Sequence, residues 1–164
     1  MVKYFLGQSM LRSSWDQVFA AFWQRATVPA NVAHSVYILE DSIVDPQNQT
    51  ITTFTWNVNH ARLMVVEERC AYCVNSDNSG WTEIPREAWV SSSLFGVSRA
   101  VQEFGLARFK SNVTKTVKGF EYILAKLQAK EAKEKAKETA LAATEKAKDL
   151  ASKAATKQQQ QRLV

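Results

Sequence analysis

The sequence predicts an α+β fold in which an open antiparallel sheet is packed by a short N-terminal helix and a long C-terminal helix. Three observations lead to this prediction. One segment near the start has apolar residues at helical spacing, four strand-like segments follow with short turns between them, and a long helical pattern comes last. Successive strands joined by short turns pair antiparallel, because parallel neighbours need a long crossover.

Aromatic residues mark the boundary between a core-forming body and a tail. The chain has 164 residues with 5 Trp, 4 Tyr and 8 Phe, and all of these aromatics lie at or before Tyr122. After Lys130 the chain consists almost wholly of Ala, Lys, Glu, Thr and Gln. We therefore expect one domain over residues 1–129 and a low-complexity helical tail over residues 130–164.

The first strand and the first helix occupy the first 25 residues. Val2–Gln8 reads as a strand, and Ser13 or Ser14 can cap a helix. Helical spacing then relates four apolar residues: Trp15, Val18, Phe19 and Phe22. The helix is expected to end near Arg25, because Pro29 follows.

Four further strands are predicted between this helix and the last one. Their predicted bounds are Ala33–Val44, Thr50–Asn59, Leu63–Asn75 and Trp81–Val90. The second of them alternates clearly, so that Phe54 and Trp56 share one face. Turn-forming residues separate the strands, most clearly in the stretch from Ser76 to Gly80.

The long last helix is predicted to be capped by Ser91–Ser93. It carries one stripe formed by Val97, Val101, Phe104 and Arg108, and a second, more apolar stripe formed by Phe109, Val113, Phe120, Ile123, Leu124 and Leu127. Gly105 and Gly119 weaken the helix, and we expect them to let it approach the sheet closely.

The tail contains an internal repeat of eleven residues. Residues 132–140 recur as residues 143–151, and the repeat aligns an Ala stripe in which only Leu141 and Leu150 are larger. Such a stripe packs weakly. We expect a marginal helix that frays from Lys157 onward.

Charge and composition exclude several functional classes. The formal net charge is +5, with 12 basic and 11 acidic residues in 1–129 and 9 and 5 in the tail. The mixed signs in the tail favour a solvated helix over a nucleic-acid binder. We also expect no secretory signal, no cleaved presequence and no membrane-spanning segment.

No pattern in the sequence indicates catalysis, a metal or a cofactor. Residues three apart on a strand point to opposite faces, so Cys70 and Cys73 are expected to be ordinary thiols. His34 and His60 lack the neighbours of a catalytic triad. Motifs for dinucleotide, phosphate-loop or serine-hydrolase sites are absent, so we predict that the protein is not an enzyme.

One constellation on the last helix favours binding of an amphiphile. Arg108, Asn112 and Lys115 stand at i, i+4 and i+7 and continue the apolar stripe that begins at Val97. Cationic and amide donors suit a phosphate, and the apolar part suits acyl chains. The alternative is a partly solvated helix face, and the spacing alone does not decide between the two.

Longer stretches of the sequence resemble the PRELI family. The resemblance lies in Val2–Phe5, in Trp15–Arg25, in Asn59–Glu68 and in Ser98–Lys126, and it covers nearly the whole chain. It implies a curved sheet closed by helices around a lipid cavity. It also implies transfer of phosphatidic acid across the mitochondrial intermembrane space, which supports cardiolipin synthesis.

The resemblance also implies partners and site residues. The expected partners are phosphatidic acid, an anionic membrane surface contacted peripherally, and a small twin-cysteine helical-hairpin protein in a heterodimer. The implied headgroup ligands are Arg25, Arg108, Asn112 and Lys115. The implied cavity-lining residues are Phe54, Trp56, Val97, Val101 and Phe104.

This chain departs from the family pattern between residues 25 and 33. Family members carry a longer block there, with two more strands and a lid loop, so this chain is expected to have five strands instead of seven. An alternative function follows from the shortening: a transfer-impaired interaction protein that binds the hairpin partner without carrying lipid.

Overall fold

The computed structural model describes residues 2–25 and 37–161, and the side chains of residues 2–24 and 37–153. The fold is α+β, as the sequence predicts. In chain order the elements are β1 (Val2–Leu11), α1 (Trp15–Arg25), β2 (Ile38–Asp45), β3 (Thr50–Asn57), β4 (Val65–Val74), β5 (Thr82–Ser91) and α2 (Ser98–Gln161).

The five strands form one antiparallel sheet in the order β1-β5-β4-β3-β2. Neighbours along the chain pair from β2 to β5, with Ile38 opposite Asn57 and Val65 opposite Ser91. Strand β1 pairs antiparallel with the other side of β5, so that Val2 also lies opposite Ser91. Among the described strands, β1 and β2 are therefore the edges of the sheet.

Both helices pack on one face of the sheet, here called the inner face. Trp15 of α1 donates a hydrogen bond from Nε1 to the carbonyl oxygen of Tyr72 at 3.3 Å. The Phe120 ring of α2 lies 5.7 Å from the Tyr72 ring. Nearer β1, Phe5 and Phe109 meet edge to face at 5.5 Å. The core is built from these contacts and from buried strand residues that include Ile51, Ile84, Ala88 and Val90.

The opposite, outer face of the sheet carries a mixture of aromatic and charged side chains. Tyr4 packs against Trp89 with ring centroids 5.7 Å apart and donates a hydrogen bond to Glu87 at 2.9 Å. That hydrogen bond raises the pKa of the Tyr4 hydroxyl, because the negative carboxylate opposes ionisation. Arg69 reaches the same Glu87 carboxylate at 3.5 Å.

The two helix starts differ in how well the sequence predicted them. Helix α1 begins after Ser14, whose carbonyl accepts a hydrogen bond from the Val18 amide at 3.0 Å, so one of the two predicted caps is confirmed. Helix α2 begins at Ser98, so the prediction that Ser91–Ser93 cap it was wrong. Ser92 instead caps a turn, because its hydroxyl accepts from the Leu94 amide at 3.4 Å.

The two glycines of α2 have different surroundings. A Cβ at Gly105 would collide with the Met64 side chain and would lie 3.0 Å from a Val90 methyl group, whereas a Cβ at Gly119 would meet nothing within 4 Å. Close approach to the sheet is therefore confirmed at Gly105 and contradicted at Gly119.

The chain separates into two compact units, residues 1–124 and 125–164, five residues before the predicted boundary. Helix α2 continues to Gln161, beyond the predicted onset of fraying at Lys157. In residues 128–153 every side chain is exposed. Neither described helix contains a stretch that is both long and apolar enough to cross a bilayer.

Candidate functional site

The stripe that begins at Val97 lies on the flank of α2 that is turned away from β1. The other flank is fixed by two contacts. Lys3 pairs with Glu103 at 2.6 Å, and the Lys110 ammonium lies 5.7 Å from the Phe5 ring centroid. Helical geometry then places the stripe on the other side of the helix. Five of its residues follow one another along that side at spacings of three or four: Val101, Phe104, Arg108, Asn112 and Lys115.

The three predicted headgroup ligands on α2 are all exposed. Arg108, Asn112 and Lys115 share one side of the helix. In the described part of the chain, none of them makes an ion pair or a hydrogen bond with another side chain. Their donors are consequently accessible to a phosphate in solution or at a membrane.

The apolar part of the stripe is only partly covered. Val97 and Phe104 are exposed and Val101 is half-buried. The stripe therefore passes from an accessible apolar surface to an accessible cationic surface within about five turns of helix. This order suits a molecule with an apolar body and an anionic end.

The fourth predicted headgroup ligand, Arg25, is the last residue of α1. Its side chain lies outside the described residues, as does all of His34. The role of Arg25 stays a prediction.

Phe54 and Trp56 lie on the outer face, so the prediction that they line the inner surface was wrong. The Arg69 guanidinium carbon lies 5.9 Å from the Phe54 ring centroid, on the face opposite the helices. Alternation shows which residues of a strand share a face but not which face is covered. The inner set of β3 contains Ile51 and Thr53, which stand opposite Tyr72 and Cys70.

The sequence analysis missed a buried ion pair on the inner face. Arg86 of β5, with 6% of its side-chain surface exposed, donates from Nη1 to the carboxylate of Glu68 on β4. Thr55 donates to the other Glu68 oxygen at 3.3 Å. The signal was present, because Arg86 stands between Ile84 and Ala88 in a strand whose alternate residues are otherwise uncharged and buried.

One donor of the Arg86 guanidinium has no acceptor among the described residues. This donor is Nε, and it is buried. A buried guanidinium donor without an acceptor is costly, and removing Glu68 would leave the whole cation uncompensated. The middle of the inner face is therefore polar, although apolar residues surround it.

The two cysteines point to opposite faces, as the sequence predicts. Cys70 is buried on the inner face, and Cys70 and Cys73 form no disulfide. Cys73 lies on the outer face and donates weakly to the Glu83 carbonyl at 3.7 Å. Burial raises the pKa of the Cys73 thiol, and the nearby Glu83 carboxylate adds to this shift. In the described ranges, His, Cys, Asp and Glu side chains form no group of three that could hold a metal ion.

Comparisons with known proteins agree on one family. The sequence model of the PRELI-like family matches residues 23–131. The chain is 70% identical over 214 aligned residues to PRELI domain-containing protein 1, mitochondrial, of Homo sapiens, with 98% of each chain covered. It is 59% identical over 190 residues to the protein of that name in Gallus gallus, with 84% of this chain and 88% of the relative covered.

Two details of the comparisons bear on the fold. The human alignment spans 214 positions and this chain has 164 residues, so at least 50 positions of the relative face gaps here. The crystal structure of Ara h 8.0201 superposes with a TM-score of 0.50 at 11% identity, covering 76% of this chain and 99% of the other. This likeness supports a sheet packed by a long C-terminal helix.

Proposed function

This chain belongs to the PRELI-like family, and we propose that it carries phosphatidic acid between the two mitochondrial membranes. In this proposal the chain works in the intermembrane space, delivers lipid for cardiolipin synthesis and catalyses no reaction. The word "mitochondrial" in the names of the human and chicken relatives supports the compartment.

The observation that supports lipid binding is the stripe on α2. An extended ligand can lay its acyl chains along Val97, Val101 and Phe104 while its phosphate meets the donors of Arg108, Asn112 and Lys115. A charge-assisted hydrogen bond is about twice as strong as a neutral one, so cationic donors dominate recognition of the phosphate. Asn112 adds a neutral donor between the two cations.

We further propose that a small twin-cysteine helical-hairpin protein binds this chain as a heterodimer. Support comes from the outer face of the sheet near its β2 edge, where the paired residues Leu39 and Trp56 are exposed together with Ile43. Apolar surface of this kind is typical of a face that a partner covers. An amphipathic hairpin could bury these side chains against its own apolar stripe.

A second candidate function is a protein that binds the hairpin partner without carrying lipid. One observation favours it: at least 50 positions of the human relative have no counterpart here. A chain with an intact outer face and an incomplete lipid site would occupy the partner and compete with full-length relatives.

A transfer assay between vesicles tests the first function. We expect labelled phosphatidic acid to move from donor to acceptor vesicles in the presence of the full chain and its hairpin partner. We expect Arg108→Gln and Lys115→Gln each to slow transfer by about tenfold, the equivalent of one charge-assisted hydrogen bond. Lys110→Gln is the matched control, because Lys110 is an exposed cation of the same helix on the opposite flank, near the Phe5 ring.

The same assay separates the two functions. Equal rates for Arg108→Gln and Lys110→Gln would rule out the stripe as the headgroup site. Capture of the hairpin partner by the wild-type chain, with no transfer above the protein-free rate, would establish the second function instead.

A further inference from the structure

The loops of the sheet gather at two ends that differ in chemistry. At one end, here called the Phe95 end, residues 58–64 join β3 to β4 and residues 92–97 join β5 to α2. At the other end, here called the Asn78 end, residues 46–49 join β2 to β3 and residues 75–81 join β4 to β5.

The two loops of the Phe95 end form one connected surface. Ser92 donates a hydrogen bond from its hydroxyl to the Leu63 carbonyl at 2.7 Å, which ties the loops together. Ser98 donates to the Ser92 carbonyl at 2.7 Å and anchors the second loop to the start of α2. Gly96 has a φ of 77°, in the left-handed region that glycine adopts without strain.

This connected surface is apolar and projects into solvent. Phe95 is fully exposed, at 104% of the reference value, and Val58, Leu63 and Val97 are each at least half exposed. Because no described residue covers the Phe95 ring, the ring is available for insertion into a membrane. Phenylalanine and aliphatic side chains favour the boundary between headgroups and acyl chains of a bilayer.

The charge of the Phe95 end matches an anionic surface. Residues 58–64 and 92–99 contain Arg62 and Arg99 and no Asp or Glu. The Asn78 end differs, because it carries Asp45 and Asp77 together with Arg12, whose guanidinium lies over the Trp81 ring, and it has no exposed large apolar residue in 46–49 or 75–81. Among the described residues, the Phe95 end therefore combines exposed apolar side chains with two cations, of which Arg99 lies near the carboxylate of Glu103.

We infer that the Phe95 end is the surface by which this chain docks on an anionic membrane, with Phe95 inserted below the headgroups. The inference rests on the proposed function. It also determines which end of the lipid enters the stripe first. The apolar part of the α2 stripe starts at Val97, beside the docking surface, and its cations lie further along the helix. A lipid that leaves the bilayer headgroup first would reach Arg108 and Lys115 while its acyl chains still pass Val97.

Hydrogen exchange on the full chain, alone and with its hairpin partner, tests which end meets the membrane. The probe is vesicles of phosphatidylcholine and phosphatidylglycerol, with pure phosphatidylcholine vesicles for comparison. We expect vesicles with phosphatidylglycerol to slow amide exchange in residues 92–97 and to leave residues 76–80 unchanged. Slower exchange at 76–80, or no binding to the anionic vesicles, would overturn the inference.

A substitution tests the role of the ring itself. We expect Phe95→Ser to weaken co-sedimentation with the anionic vesicles by about tenfold, since a buried aromatic side chain contributes at least that factor. Phe95→Trp should retain binding. Leu141→Ser, which removes an exposed apolar side chain from the tail, should change binding less than twofold. Equal losses for Phe95→Ser and Leu141→Ser would contradict insertion of Phe95.

The outcomes distinguish this inference from the proposed function. Transfer of phosphatidic acid by a chain that docks through another surface would leave the function standing and remove the inference. Docking through residues 92–97 without transfer would support the inference and contradict the proposed function. Slow exchange at 92–97 caused by the hairpin partner alone, without vesicles, would assign the surface to the partner and overturn membrane docking.

Discussion

Helix α2 contains two stretches that are helical for different reasons. Residues 98–124 bury Phe109, Phe120 and Leu124 against the rest of the body. Residues 128–153 expose every side chain, yet the helix continues to Gln161. The first stretch is helical because its apolar residues pack, and the second because Ala, Lys and Glu favour the helix locally. One regular helix therefore tolerates substitution very differently along its length.

The largest expected effect on stability is the difference between truncating a buried ring and truncating an exposed side chain on α2. Phe120→Ala removes a ring that packs on Tyr72 and should lower the free energy of unfolding by about 3 to 5 kcal/mol. Leu150→Ala removes an exposed side chain and should change that free energy by less than about 0.5 kcal/mol.

Chemical denaturation followed by tryptophan fluorescence measures both variants, because every Trp lies in the body. A loss at Leu150→Ala that matched the loss at Phe120→Ala would show that the second stretch is also held by packing.

The two glycines of α2 should respond with opposite signs. Gly119→Ala meets no atom and should stabilise the protein by about 1 kcal/mol, because Ala favours the helix and restricts the unfolded chain. Gly105→Ala should destabilise it, since the new methyl group collides with Met64 and crowds Val90. Thermal unfolding of the two variants provides the comparison. An equal gain at both positions would mean that Met64 moves aside without cost.

A smaller effect is expected from the ion pair at the start of the packed stretch. The hydrogen bond from Lys3 lowers the pKa of the Glu103 carboxyl. The ion pair therefore stabilises the folded chain fully at a pH above the unfolded-state pKa of Glu103. This stabilisation is lost as the pH falls through the lower, folded-state pKa of Glu103. Wild type should exceed Glu103→Gln in stability at neutral pH, and the two should converge in acid. Denaturation at a series of pH values measures the unfolding free energies, with Lys3→Gln as the control for the other partner of the ion pair. A stability difference between wild type and Glu103→Gln that persisted in acid would contradict this assignment.

The smallest effect should come from removing the tail. A chain that ends at residue 129 loses the exposed stretch of α2, in which every described side chain, up to residue 153, is exposed. Its unfolding midpoint should match that of the full chain, while its helical circular dichroism signal falls. A lower midpoint for the shortened chain would show that the tail supports the body.

The elements were largely predictable because the local signals were strong. Helical spacing identified both described helices, and turn signals together with alternation in Thr50–Asn59 identified the five described strands. The carbonyl of Ser14 accepts the first hydrogen bond of α1, as that of a capping residue should. The start of α2 was not predictable from the three serines, because a turn-capping serine and a helix-capping serine have the same local signature. Only the tertiary hydrogen bond from Ser92 to Leu63 distinguishes them.

The site was predictable only where it lies on a helix. Spacing alone placed Arg108, Asn112 and Lys115 on one side of α2. The faces of β3 were reversed because Phe54 and Trp56 are larger than Ile51 and Thr53, whereas the pairing with Tyr72 and Cys70 decides which set is covered. The ion pair of Arg86 with Glu68 joins two strands, and a single sequence does not show which charges a register brings together.

Strand β2 stands at an edge of the sheet and carries Glu40, Asp41 and Asp45 among its eight residues. An edge strand can template the addition of a foreign strand, and negative charges along it discourage such growth by mutual repulsion between copies. Glu40, Asp41 and Asp45 would therefore repel the same strand of a second copy and oppose pairing between two edges. This repulsion depends on ionised carboxylates, so it would weaken in acid.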